Sequence, residues 1–185
     1  MAAVEVSPRE FTFVFYDAAV IEEIAARLLE DIGLDRHVRI EIDETTPLGR
    51  VQVISLEPLV VSVQGGAFED TRRPRQLGAD RVSDSLGRVL MRARDRLDPA
   101  FGDPPPDDEL SLAQSVAWDA YGVGRLAGLG YPAQRQRRLY HFRNRHGFTD
   151  AADRVFDRLW NGDGLTWADI EAACAETEES RTPVG

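Results

Sequence analysis

The sequence predicts an α+β fold: a small mixed or antiparallel sheet with helices packed on one face, and a helical C-terminal part. Strand-like alternation is confined to the first part of the chain, in residues 38–43 (VRIEID), 51–55 and 59–63. From residue 82 onward the apolar residues instead recur at i, i+3, i+4 and i+7, the period of an amphipathic helix. At 185 residues, 43% hydrophobic and 29% charged, the chain can bury a core without disulfides. We expect one domain over residues 1–178, with the sheet and two helices in 10–101, the helical part in 107–178 and a disordered tail at 179–185.

The elements follow in order. Residues 10–16 (EFTFVFY) are aromatic and β-branched and read as a strand. Asp17 then caps a helix that turns Val20, Ile21, Ile24, Ala25, Leu28 and Leu29 inward and stops near Gly33. Three short strands follow, the last ended by Gly65-Gly66. The segment 65–78 reads as an arginine-bearing loop, since its glycines lack phosphate-loop spacing.

The helix over 82–97 organises what comes after. Val82, Leu86, Val89, Leu90, Ala93 and Leu97 form its core stripe, with Arg81, Arg88 and Arg92 down one flank. Asp98-Pro99 ends it. The next helix, within 109–130, carries Leu112, Val116, Ala120, Val123 and Ala127 inward, and Gly122, Gly124 and Gly128 would admit a close neighbour. Asp119 falls inside that stripe. A carboxylate there is either paired with an arginine of the organising helix or lines a cleft. Pro132 opens a helix ended by Gly147, Asp150 begins another with Ala152, Val155, Phe156 and Leu159 inward, and Thr166 with Asp169 makes a capping box for the last.

Charge and cysteine usage limit the functions available. The net charge of −10 disfavours nonspecific nucleic-acid binding by the whole surface. All 22 basic residues are arginine, a usage that fits a GC-rich bacterial genome. The single Cys174 excludes an internal disulfide and a multi-cysteine metal site, and suits a cytoplasmic protein. No run of ~18 apolar residues is present, so no membrane partner is expected.

Positive charge gathers between residues 132 and 146, where five arginines and two histidines meet no acid. Arg135, Arg137, Arg138, Arg143 and Arg145, with Tyr140 and His141 among them, are the expected binding residues, together with Arg88 of the organising helix. Arginines interleaved with aromatics can hold phosphates and stack bases. Self-pairing or an acidic protein partner suits an acidic chain better. His141 and His146 are five apart and do not share a helix face, so no metal is expected there, and no cofactor anywhere.

The order strand, helix, strand, edge strand, loop and helix resembles minimal zincin-like metallopeptidase domains, whose helix after the edge strand carries His-Glu-x-x-His. The corresponding stretch here reads Asp84-Ser85-Leu86-Gly87-Arg88, followed by Val89-Leu90. The Leu-Gly and the apolar continuation are similar to the family pattern, whereas both zinc-ligand positions and the general-base position differ. The resemblance spans residues 10–124 and implies a degenerate, metal-free scaffold used for binding. It also implies that Asp119 stands where gluzincin members carry an acidic third ligand, with Arg88 in the metal's place. Taken without the resemblance, Asp84 and Arg88 are an i, i+4 pair. Asp84, Ser85 and Asp119 remain the candidates should the chain be a hydrolase.

Overall fold

The computed structural model describes residues 3–181. Contacts divide the chain into two compact units, Met1–Arg94 and Asp95–Gly185. The fold is α+β: among the described residues the strands all lie in the first unit, and the second contains helices.

The first unit is built on a four-stranded mixed sheet. Its strands are β1 (Val4–Ser7), β2 (Val38–Asp43), β3 (Val51–Leu56) and β4 (Leu59–Gln64), ordered β1-β2-β4-β3. β1 runs parallel to β2, and β2 parallel to β4, while β3 lies antiparallel to β4 at an edge. Register follows the side-chain alternation. In β2, Val38, Ile40 and Ile42 are buried and Arg39, Glu41 and Asp43 exposed, so a one-residue slip would put the apolar set in water. Between β1 and β2, α1 (Ala18–Asp31) begins where the Asp17 carboxylate accepts from the Ala19 amide, and it buries Ile21, Ala25, Leu28 and Leu29. Gly33 just beyond it sits at φ +69°, which a glycine adopts without a Cβ penalty.

Two expectations for this unit are corrected. Residues 10–16 form no strand. The sheet position beside β2 is taken by β1, with Val4 opposite Val38, and Thr12 and Phe13 donate their amides to the Glu44 carboxylate instead of to a strand. Only Phe15 makes a single bridge, to Gln76. Nor is 65–78 an open loop. After a short 3-10 turn it folds into a hairpin of β5 (Glu69–Asp70) and β6 (Arg73–Leu77), with Asp70 Oδ1 accepting the Arg72 amide across the turn.

The organising helix, α2 (Ala79–Leu97), lies in the first unit through Arg94, and its last turn belongs to the second. Val82, Leu86, Leu90 and Ala93 are buried as expected. The flank is a different matter, because every residue from Arg81 to Leu97 is buried or half-buried, the arginines included.

The second unit packs α3 (Leu112–Gly128) against α4 (Arg135–His146), α5 (Asp150–Trp160) and α6 (Trp167–Arg181). Its core contains Trp118, Tyr121, Phe142, Phe156, Trp160 and Trp167. The face of α3 is turned from the expected one: Leu112 is 60% exposed, while Ala117, Trp118 and Tyr121 are buried. Two large aromatic rings bury more area than the smaller aliphatic residues and set the helix orientation. Gly124 lies against the backbone of Trp160, where an added Cβ would come within 2.1 Å of the Trp160 carbonyl oxygen. α6 continues to Arg181, so 179–181 are helical where a disordered tail was expected; the rest of that tail, 182–185, lies outside the described residues.

Candidate functional site

On α2, the side chains of Asp84, Ser85 and Arg88 all have partners. Ser85 is 4% exposed and donates a long hydrogen bond, 3.4 Å, to the Ala67 carbonyl of the 3-10 turn. Asp84 Oδ2 and Arg88 Nε stand 3.9 Å apart as an i, i+4 pair. The Ser85 hydroxyl is directed to a main-chain carbonyl, whereas a nucleophilic serine donates to a base.

The arginines of α4 fall into two sets. Arg135 pairs with Asp157 of α5 and lies over the rings of Phe156 and Trp160, at 5.3 and 5.9 Å. Arg143 grips Asp153 through two bonds of 2.8 and 2.7 Å, and these hold the Asp153 carboxyl below the usual carboxylate range. Arg137 reaches Gln134 at 3.4 Å, and Tyr140 is exposed with its ring edge toward Phe148. Self-pairing therefore accounts for Arg135 and Arg143.

The second set lines a cleft. Arg138, His141, Asn144 and Arg145 of α4 face Leu112, Val116, Asp119 and Ala120 of α3 across a space of about 320 Å³. On each helix these residues recur at three- and four-residue steps and so share one face. Leu112, Val116 and Ala120 supply apolar lining, and two guanidiniums, an imidazole and an amide stand with one carboxylate. That composition suits a ligand with an anionic head and a short apolar body. Asp119 was expected to sit in a core stripe; it is half-buried at this cleft.

His146 is placed apart from His141. It is 1% exposed, stacked on Phe142 at 4.0 Å, and bonded through Nδ1 to Thr177 Oγ1 and through Nε2 to the Ala113 carbonyl. Burial lowers its pKa, against the smaller opposing pull of the Ala113 bond. It joins α4 to α6 and α3. Among the described residues, no group of three or more His, Cys, Asp or Glu side chains is arranged to hold a metal ion. Burial pushes the Cys174 thiol up to about 11, with Glu171 adding to the shift, which leaves it protonated and unreactive at neutral pH.

The most constrained polar cluster was not anticipated. Asp95, 3% exposed, accepts from Trp118 Nε1 at 2.8 Å and from Arg125 Nη1 and Nη2 at 2.8 and 2.7 Å. The Arg125 guanidinium also lies 3.8 Å from the Tyr121 ring centre. A signal existed: Asp95 follows the buried Met91 by four residues, and Arg125 follows Trp118 by seven, so each pair shares a helix face.

Among the described residues, no helix is long and apolar enough to cross a membrane. Comparison with known proteins returns no matching family model, no matching curated protein and no matching solved structure.

Proposed function

We propose that this chain is a non-catalytic, cytoplasmic bacterial accessory module on a degenerate zincin-like scaffold, and that it binds an acidic segment of a partner protein in the α3–α4 cleft. The observation that carries the binding role is the cleft itself, with Arg138, His141, Asn144 and Arg145 set against the single acid Asp119. The scaffold reading is supported by the antiparallel edge strand β3, by α2 following the sheet, and by the engagement of Ser85, Asp84 and Arg88 in local contacts.

The test is a titration of the full chain with a pentaglutamate peptide, followed by amide chemical shifts. We expect perturbations at residues 138–145 and 112–120, lost at high salt and in an R138A/R145A variant. An absence of shifts at the cleft would sink the binding role. Stoichiometric zinc in the purified protein would sink the metal-free scaffold.

A hydrolase is the second reading, favoured by Asp119 and His141 lining one cleft. It predicts turnover of small ester or phosphoester substrates that disappears in both D119N and H141A. Turnover unchanged in either variant removes it. A nucleic-acid surface over residues 135–145 finds less support, because Arg135 and Arg143 are paired with acids of α5.

A further inference from the structure

A second surface lies in the first unit, on residues that are not among the site candidates singled out in the sequence. Phe13 and Phe15 are 60% and 64% exposed, although large aromatic side chains are ordinarily covered. The segment carrying them is held in place. Thr12 and Phe13 donate their amides to Glu44, and the Phe15 amide donates to the Arg75 carbonyl at 2.8 Å. The rings are therefore displayed on an anchored backbone.

Beside them stands the β5–β6 hairpin, exposed at every residue from Thr71 to Gln76. Its acids and its arginines point to different uses. Glu69 accepts the Arg75 amide at 2.9 Å and Asp70 the Arg72 amide at 2.8 Å, so both carboxylates are occupied by main-chain groups. In the Arg73–Asp70 pair the acid side chain is 20% exposed and the arginine 75%. Negative charge is turned inward, and Arg72, Arg73 and Arg75 face solvent.

Arg75 adds a third observation. It sits at φ +62°, a left-handed conformation that glycine adopts freely and a residue with a Cβ resists. Its guanidinium lies 5.5 Å from the Phe15 ring centre. Strain at an exposed residue whose side chain joins an aromatic to a cationic surface is the pattern of a binding element.

We propose that Phe13, Phe15, Arg72, Arg73 and Arg75 form a docking surface for an acidic segment of a partner protein that also carries apolar side chains. The arginines meet its carboxylates and the two rings its apolar groups. A partner protein fits better than nucleic acid or an anionic bilayer, because the exposed Phe13 and Phe15 rings call for apolar side chains beside the acids, and a segment with few charges meets less repulsion from the net charge of −10 than a polyanion does. The surface is independent of the α3–α4 cleft, and each can fail without the other.

The test selects from a displayed library of random 12-residue peptides on the full-length chain, then measures the enriched peptides by fluorescence anisotropy. We expect sequences with Asp or Glu next to Leu, Phe or Trp, binding at least tenfold more weakly to F13S/F15S and to R72A/R73A/R75G. An R27A variant, changed at an exposed arginine of α1, should bind them unchanged. Thermal melting of the variants verifies folding, and all six substituted residues are exposed. No enrichment, or equal affinity for the F13S/F15S protein, overturns the proposal. So does tighter, F13S/F15S-sensitive binding of a 20-nucleotide single strand or of phosphatidylserine vesicles. Self-association in sedimentation that F13S/F15S abolishes would assign the surface to a second copy and equally overturn the partner claim.

Discussion

Asp95 and Asp119 lie in the same helical unit, and their surroundings could hardly differ more. Asp95 is sealed, with three hydrogen bonds from Trp118 and Arg125. Asp119 borders a cleft large enough for a small ligand group. Local patterning points the other way: Asp119 interrupts an apolar stripe, whereas Asp95 sits in the charged stretch Arg94-Asp95-Arg96. A buried acid–arginine pair occurs instead at Asp95, with the acid on α2 and the arginine on α3, the reverse of the pairing expected for Asp119. A buried charge needs its donors within reach, and those donors come from 23 and 30 residues away. Helical periodicity reports on one helix and contains no information about the other.

The largest expected effect tests this contrast directly. Asp95→Ala should cost about 3–5 kcal/mol by leaving Arg125 buried without its partner. Replacing both, as D95L/R125M, should cost less than the sum of the single variants. Chemical denaturation measures each. Asp119→Asn should cost at least ~2 kcal/mol less than Asp95→Ala, given its half-buried position. Equal costs would erase the distinction between the two acids.

Glycine packing gives the next contrast. Gly124→Ala drives a Cβ into the Trp160 backbone and should destabilise by about 1–3 kcal/mol or more. At Gly128, the last residue of α3, an added Cβ meets nothing within 4 Å, and alanine there should stabilise by up to ~0.5–1 kcal/mol through helix propensity. Thermal melts of the two variants should move in opposite directions. All three glycines of α3 were expected to admit a neighbour, and the structure assigns that role to Gly124 and not to Gly128.

Between these effects lies a pH dependence from His146. Its folded pKa is lowered by burial, so the unfolded chain takes up a proton more readily. The stability it contributes is complete above the unfolded value of about 6.5 and is lost as pH falls through the folded pKa. Stability curves of the wild type and His146→Gln should therefore converge on acidification. Parallel curves would show that His146 does not titrate with unfolding. The weakest effect is expected at the Arg143–Asp153 pair, which is a third or more exposed on both sides. Its coupling in a double-mutant cycle should fade with added salt, and also as pH falls through the lowered Asp153 pKa.

Much of the fold was legible because the signals are local. The clean alternation of 38–43 became β2, Asp17 caps α1, Thr166 and Asp169 form their capping box, and α5 buries the four residues assigned to its inner face. What failed depends on competition between distant segments. Residues 10–16 have the composition of a strand, yet β1 occupies the neighbouring sheet position, and Phe13 and Phe15 are left in water. The arginine loop closed into a hairpin in which Asp70 accepts the Arg72 amide in the turn and Glu69 the Arg75 amide of the returning arm. The site residues divided in the same way. Arg138, His141 and Arg145 were candidates by composition, but only the packing of α4 on α3 brings them to Asp119 while Arg135 and Arg143 turn to the acids of α5.

By itself, then, the sequence determined the α+β class, the caps that open α1 and α6 and the inner face of α5, since each depends on hydrogen bonds and side-chain spacing within a few residues. The tertiary structure alone decided which carboxylate is buried, which arginines line a cleft and which phenylalanines stay exposed. Those outcomes depend on helices and strands far apart in the chain competing for the same partners, and burial goes to whichever arrangement satisfies the most polar groups while covering the largest rings.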